Sequence, residues 1–561
     1  MTDGKQNTKI WLETAVFALI CLLFALFFNR CSQDYFVENN DNFGIACVVN
    51  NTVYDNYCIF LNPLLCGIIR NTALVLPKAD AFALTSLVLC ELAFIWCAFL
   101  AFKHTNGLKR FVFITIAAVY ASFGIFAQNF TVTAAFLGAA GFIPIMIFAV
   151  CGTVFNKKYL KIYLGISLFF VAMGFMYRGD DYYLFIPFAA LCVAAAILIN
   201  KNKNNFRGSL LVVAVSVFVT LVSVGGIALL ADFIPAVDNG KKYNKARAFV
   251  QDYPLLPYEE AGFGEDITEN DYTLITHFMT PDTERMDTDF LRSFAQNAAD
   301  PHPDRAKIIK DTFVKNKYTA KPLILLSGAV ILLLFTLLSK GNIVKKLTAA
   351  ISFAGILLGM AALLYVGRLP ERVMLLIITA GICPMCAVFY SIDINNEKIS
   401  KAGCVLCAFI CIAAFARFAV KDIGGRPTAI FTAYEKNAQL EEAVSATYTE
   451  GCVFIWDTIN YNLAPSMYFS TNGKLLPREF EMHNIPAGGW SYGQLYQKQR
   501  FDDMGIRNPA YDLVYRPNTF YVGELSVMET YIKEHIEPNA KSDLIGYILN
   551  TPVYVFTVEE Q

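Results

Sequence analysis

No glycine-rich loop able to cradle a phosphate, no internal repeat and no low-complexity tract occurs in the chain. Their absence argues against a nucleotide-binding α/β fold, a solenoid and a disordered scaffold. Charge is scarce as well. Only 17 % of residues are Asp, Glu, Lys or Arg, and 46 Lys and Arg against 47 Asp and Glu leave a formal net charge of −1. So balanced a charge says little about partners, and no nucleic acid is expected among them. Apolar side chains, in contrast, are abundant, at 56 % of the 561 residues with a mean hydropathy of +0.45. That exceeds what one soluble core needs, and it comes in runs.

Runs of about 18 or more apolar residues cross a bilayer as helices. Eleven are legible, at 10–28, 81–102, 111–127, 131–152, 159–175, 182–200, 209–232, 322–339, 347–366, 372–391 and 402–420. The first is longer than a signal-peptide core and no small-x-small cleavage site follows it, so a retained anchor is expected. Lys5 and Lys9, Lys103/Lys109/Arg110, Lys157/Lys158/Lys161, Lys201/Lys203/Arg207, Lys340/Lys345/Lys346 and Lys398/Lys401 fall in alternate connections. Those connections are cytoplasmic by the positive-inside rule, which predicts an N-inside, C-outside polytopic α-helical protein of about 11 spans.

Three segments are too polar for lipid, and all three are expected outside: 29–80, 233–321 and 421–561. The first holds short apolar stretches suited to helices lying along the interface. The second carries Thr268-Glu269-Asn270-Asp271, a helix-capping pattern. In the third, Cys452 to Trp456 and Val553 to Phe556 read as strands and Val527 to Ile536 as a helix, which predicts a small external α/β domain. The chain thus divides into a transmembrane domain, 1–420, and a C-terminal domain, 421–561. Of fifteen cysteines, Cys383/Cys386 and Cys404/Cys407 have zinc-ribbon spacing but lie inside apolar runs, where thiolate ligands are expensive, so packing is the expectation. Cys31, Cys47, Cys58 and Cys66 share the first external segment, where a disulfide is chemically allowed and its connectivity is not legible.

The residues with chemical promise sit beside the membrane. Asp41, about a dozen residues beyond the first run, is equipped to act as a general base, with Asn42 beside it to orient a carboxylate or a sugar hydroxyl. The same Asn-Asp-Asn sequence is also ordinary turn chemistry. Arg178 lies in one very short external connection, and Arg368 and Arg372 lie in and just after another. Guanidinium groups grip phosphate in a two-pronged way and stabilise negative charge that develops as a phosphate leaves. Loop-end arginines also anchor to lipid headgroups generally. Asp180 and Asp181 stand next to Arg178, where they can meet an acceptor or a cation, although pairing with Arg178 is the expectation. Glu91, mid-span, either lines a polar route or is a hydrogen-bonded packing residue.

An N-inside first helix, an external acidic motif followed by interfacial helices, many further spans and an external C-terminal domain together resemble the GT-C superfamily of integral-membrane glycosyltransferases. The stretch Asn40-Asp41-Asn42-Phe43-Gly44-Ile45-Ala46, followed by Phe60-Leu61-Asn62-Pro63-Leu64-Leu65, is similar to segments of bacterial enzymes that use polyprenyl-phosphate sugars, such as the glucosyltransferases that modify O-antigen. The architectural likeness covers most of residues 1–420, and the sequence likeness is confined to these stretches. The resemblance implies a GT-C-like fold in a bacterial cytoplasmic membrane, with the large loops and C-terminal domain extracytoplasmic. It also implies an inverting transfer of a hexose from a polyprenyl-phosphate donor to a cell-surface glycan. Asp41 would match the catalytic acidic residue, Arg178, Arg368 and Arg372 would hold the leaving phosphate, and Asn42 and Asn62 would orient the sugar. Many members have a second acidic residue where Asn42 stands, so no metal or other cofactor is expected and a divalent cation is the less favoured option. Two other classes fit the composition. One is a transporter or flippase for a lipid-linked or small solute, although no matching pair of Gly/Pro-interrupted spans supports it. The other is a non-catalytic membrane assembly factor.

Overall fold

The computed structural model describes residues 2–31, 40–126, 129–151, 157–201, 206–300, 303–316, 320–340, 342–393, 397–421, 451–458, 480–548 and 550–558, with Glu442, Ser445 and Thr449 besides. Helices dominate. Each of the eleven apolar runs falls on a helix: α1 (Thr2–Cys31) and, after the short α2 (Asn40–Val49) and α3 (Pro63–Val75), α4 (Ala81–His104), α5 (Gly107–Phe126), α6 (Phe130–Cys151), α7 (Lys157–Tyr177), α8 (Tyr182–Asn200) and α9 (Phe206–Ala231). A polar group follows, α10 (Pro235–Gln251), α11 (Glu269–Thr276), α12 (Thr288–Ala298) and α13 (Arg305–Asn316), before α14 (Ala320–Leu338), α15 (Ile343–Tyr365), α16 (Glu371–Tyr390) and α17 (Glu397–Lys421). Among the described residues, seven stretches are helical, long and apolar enough to cross a bilayer: Ala81–His104, Phe130–Cys151, Leu160–Tyr177, Gly179–Asn200, Leu210–Ala231, Ile343–Tyr365 and Glu371–Tyr390. The chain is a helical, multi-pass membrane protein.

Side-chain size decides which helices sit centrally. Burial reaches 89 % of the apolar window in α6 and α16 but only 11 % in α9, so the first two form the middle of the bundle and the last its rim. In α6, small residues let α7 approach to backbone contact. A Cβ added at Gly141 would lie 2.5 Å from the Ser167 carbonyl oxygen and 2.9 Å from the Val171 nitrogen. Gly141→Val is therefore expected to cost about 1–3 kcal/mol or more through overpacking. Thermal unfolding in detergent should show it as a lowered Tm, whereas valine at the open Gly165 should leave Tm nearly unchanged.

The rest of the C-terminal region is α/β. It contains β1 (Val453–Trp456), β2 (Asn484–Pro486), α18 (Leu495–Met504), α19 (Pro509–Tyr515), β3 (Thr519–Val522), α20 (Leu525–His535), β4 (Ala540–Ile548) and β5 (Thr551–Val558). The sheet order is β2-β1-β3-β5-β4. β1 runs parallel to both β2 and β3, while β5 pairs antiparallel with β3 and β4. The middle polar segment does not stand apart from this tail. Tyr243, Val250, Leu274 and Phe294 from α10 to α12 share one hydrophobic core with Ile455, Ile485, Tyr521, Tyr531 and Phe556. Thr268 and Asp271 form the expected capping box at the start of α11, and the Asp271 carboxylate also takes Arg285 at 2.8 Å. The two polar segments thus make one α/β unit seated on one end of the helix bundle.

Helix α2 lies between the two bodies. Ile45, Val48 and Val49 belong to the core of the bundle, whereas Cys47 packs with Phe454, Trp456, Phe480 and Val522 of the α/β unit. At its end Asn50 donates to Asp80, the cap of α4, at 2.8 Å.

Candidate functional site

A cavity of about 1180 Å³ lies between the helix bundle and the α/β unit. Its walls come from α2, the connection to α3, the start of α6, the α7–α8 turn, α9, α10, the α15–α16 turn and the loops after β1 and β2. Among the described residues, five cationic side chains line it, Arg178, Lys241, Arg247, Arg368 and Arg372, against four acidic ones, Asp180, Asp232, Asp252 and Glu481. All three arginines singled out from the sequence are present, and they do not form a single clamp.

Arg178 ends α7. Its Nε meets Asp181 Oδ1 at 2.9 Å, it donates to Thr131 Oγ1, and its guanidinium lies 4.9 Å from the centroid of the Phe130 ring. Arg372, in the first turn of α16, is close enough to act electrostatically on the same Asp181. Arg368 belongs to another group. It meets Asp252 at 3.0 Å and lies over the Tyr253 ring at 5.6 Å. The other arginine on that carboxylate is Arg247, at 3.9 Å, itself buried and fixed by Asn244 and Gln251 at 3.0 Å. In each group two guanidinium groups face one carboxylate. Lys241 pairs with Asp232.

The acidic motif comes next. Asp41 and Asn42 lie in the first turn of α2, and their side chains fall outside the described residues. Gly44 and Val48 line the cavity, and positions i, i+3 and i+7 share one helix face, so position 41 falls on the cavity-lining stripe. Asn62 also lines the cavity, but its carboxamide is engaged within the fold. Oδ1 accepts from the Leu64 nitrogen at 3.0 Å as the cap of α3, and Nδ2 donates to the Val224 carbonyl at 2.9 Å. With Pro63 at the first helical position, which suits a proline, Asn62 fixes α3 against α9. Asp181 is buried and makes the ion pair with Arg178, whereas Asp180 is exposed and lines the cavity. Glu91 is not in the cavity wall. Cys47, Cys58 and Cys66 are buried thiols, and the side chain of Cys31 falls outside the described residues.

The α/β unit faces the cavity with the carboxyl ends of its parallel strands, the edge where open α/β sheets usually hold ligands. Thr458 follows β1, Pro486 ends β2, and Gly488, Gly489 and Trp490 follow it. Gly488 has φ +156° and Gly489 φ +98°. A Cβ at Gly488 would sit 2.6 Å from both the Phe278 oxygen and the Thr280 nitrogen, so only glycine fits this turn. The turn delivers Trp490 onto Phe60, ring centroids 4.8 Å apart. Phe60 in turn lies 5.5 Å from Phe130, and an aromatic wall therefore runs from the α/β unit to Arg178.

Sequence reasoning missed Arg247, Lys241, Glu481 and the Trp490 loop. No family model matches the chain, nor does any curated protein or solved structure.

Proposed function

We propose that the protein is an inverting glycosyltransferase of GT-C type, which moves a hexose from a polyprenyl-phosphate donor to an extracytoplasmic glycan at a bacterial cytoplasmic membrane. In this reading all eleven apolar helices cross the bilayer, the basic connections are cytoplasmic, and α2, α3, α10 to α13 and the α/β unit lie outside. The observation that supports it is the convergence of Arg178, Arg368 and Arg372 with the Asp41-bearing face of α2 on one large polar cavity. A transfer from a lipid phosphate needs a base for the acceptor hydroxyl and cations for the departing phosphate. Asp41 supplies the first, and Arg178 with Arg372 supplies the second. The route for the lipid is α9. It contributes Gly225, Ala228 and Leu229 to the cavity and exposes Phe218, Val222, Leu229 and Leu230, an apolar strip that needs a hydrocarbon neighbour. Asp180 is placed to meet the acceptor, and Asn62 holds the wall in shape.

The test uses purified protein in lipid nanodiscs, given a panel of polyprenyl-phosphate hexoses and a cell-envelope glycan fraction. Sugar transfer with stoichiometric release of polyprenyl phosphate is expected. Sugar transfer without release, or no transfer from any donor, would end the proposal.

A further inference from the structure

The Glu481 carboxyl is buried where the α/β unit meets α2, and donors from two elements converge on it. Cys47 of α2 hydrogen-bonds it, Tyr496 of α18 donates to Oε2, and Arg500 of α18 reaches Oε1 at 3.5 Å. Arg500 also donates to the Glu481 carbonyl oxygen at 2.6 Å. Burial pushes the Cys47 thiol well above its ordinary range, so Cys47 stays a thiol and a donor. A second contact runs alongside, because a Cβ at Gly44 would lie 3.1 Å from the Trp490 ring. Position 41 lies only about 9 Å up the helix from Cys47 at 1.5 Å rise per residue.

We propose that Glu481 is a positioning residue, a latch that fixes α2 against the α/β unit and thereby sets where position 41 of that helix stands relative to the cavity. The inference rests on the transferase reading, and it gives the C-terminal unit a part in the reaction: it orients the base from behind. Small displacements matter at that range, since about 1 Å of misplacement costs on the order of 10²-fold in rate.

The latch carries a pH signature. Burial, opposed by the Arg500 guanidinium, lifts the Glu481 carboxyl to about 7. A carboxyl raised above its unfolded value favours the docked state fully below the ordinary carboxylate range, and that contribution is lost as pH rises through about 7. The other groups facing this junction are Cys47, Tyr496 and Arg500, with Tyr54 from the α2–α3 connection and Asp503 beyond it. Asp80 acts on Cys47 from the start of α4, and His483 turns to the Cys452 carbonyl at 3.3 Å. Burial also raises Asp80, which holds Asn50 at the end of α2, to about 6, so the Glu481→Gln comparison is what assigns the limb near 7.

The experiment compares native full-length protein with Glu481→Gln and Glu481→Ala in nanodiscs, reading kcat, donor KM and hydrogen exchange along α2. Native kcat is expected to fall as pH passes about 7, and Glu481→Gln, which cannot ionise, is expected to move that limb upward. Glu481→Ala is expected to lose about 10- to 10²-fold in kcat with donor KM kept, and to speed exchange in residues 44–49 while the centres of α6 and α16 stay protected. An unshifted alkaline limb together with unchanged exchange in α2 overturns the latch. If exchange in α2 does change but the native protein transfers sugar from no donor, the structural latch stands and the transferase reading falls instead.

Discussion

Asp41→Asn is expected to lower sugar transfer by about 10²- to 10⁴-fold, the range contributed by a positioned proton acceptor, while donor KM stays close to native. The substitution keeps the size of the side chain and replaces a basic carboxylate oxygen, able to take the acceptor proton, by a far less basic amide. A folding defect is not the expected cause. Position 41 is in the first turn of α2, where a carboxylate gains only about 0.3–1 kcal/mol from the helix dipole. The measurement is polyprenyl phosphate released per minute in nanodiscs, at saturating donor, with and without acceptor. A fall in kcat at constant KM places Asp41 in the transition state rather than in donor binding. Equal rates in native protein and variant remove Asp41 from the mechanism. The base would then have to be sought among Asp180, Asp232 and Asp252, which share the cavity.

The helices were legible because each is encoded locally. A run such as Phe130 to Cys151 holds no charged residue, and Thr268 with Asp271 at a spacing of three announces the start of α11 from the sequence alone. The strands β1 and β5 were legible from their apolar, β-branched and aromatic content. What could not be read was which pieces of the α/β unit meet. β1 pairs in parallel with β2 and β3, which lie far along the chain, and no local pattern encodes such a partner. The same limit explains Arg247. It sits in Lys241-Lys242-Tyr243-Asn244-Lys245-Ala246-Arg247, which reads as a solvated helix face until α12 and the tail bury part of it. It also explains why Arg178, Arg368 and Arg372 looked like one clamp. Their split into two groups depends on Asp181 and Asp252, carboxylates whose reach is set by tertiary placement. Glu481 and Trp490 lie in polar sequence, and only the α2 junction gives them a role.

Arg178 is expected to give the second large effect, and its ion pair makes that effect separable into two parts. Arg178→Ala removes a cation from the leaving-phosphate site, for which a loss of about 10²- to 10³-fold in transfer is expected by analogy with a single electrostatic donor. It also takes from the buried Asp181 carboxylate the arginine in direct contact with it, leaving Arg372 at longer range, and breaking such a buried pair costs about 3–5 kcal/mol of stability. A lowered Tm would therefore accompany the lost activity, and the single variant alone cannot tell one cause from the other. The double variant Arg178→Ala with Asp181→Asn can. Neutralising Asp181 removes the stranded charge, so Tm is expected to recover most of its native value while transfer stays low. Arg178→Lys supplies the complementary comparison, because it keeps the charge but loses the planar fork that reaches Asp181 and Thr131 together. Its rate is expected to lie between native and Arg178→Ala. Recovery of transfer along with Tm in the double variant would mean that Arg178 serves the fold alone, and the phosphate would then have to be held by Arg372 with the Arg247 and Arg368 pair.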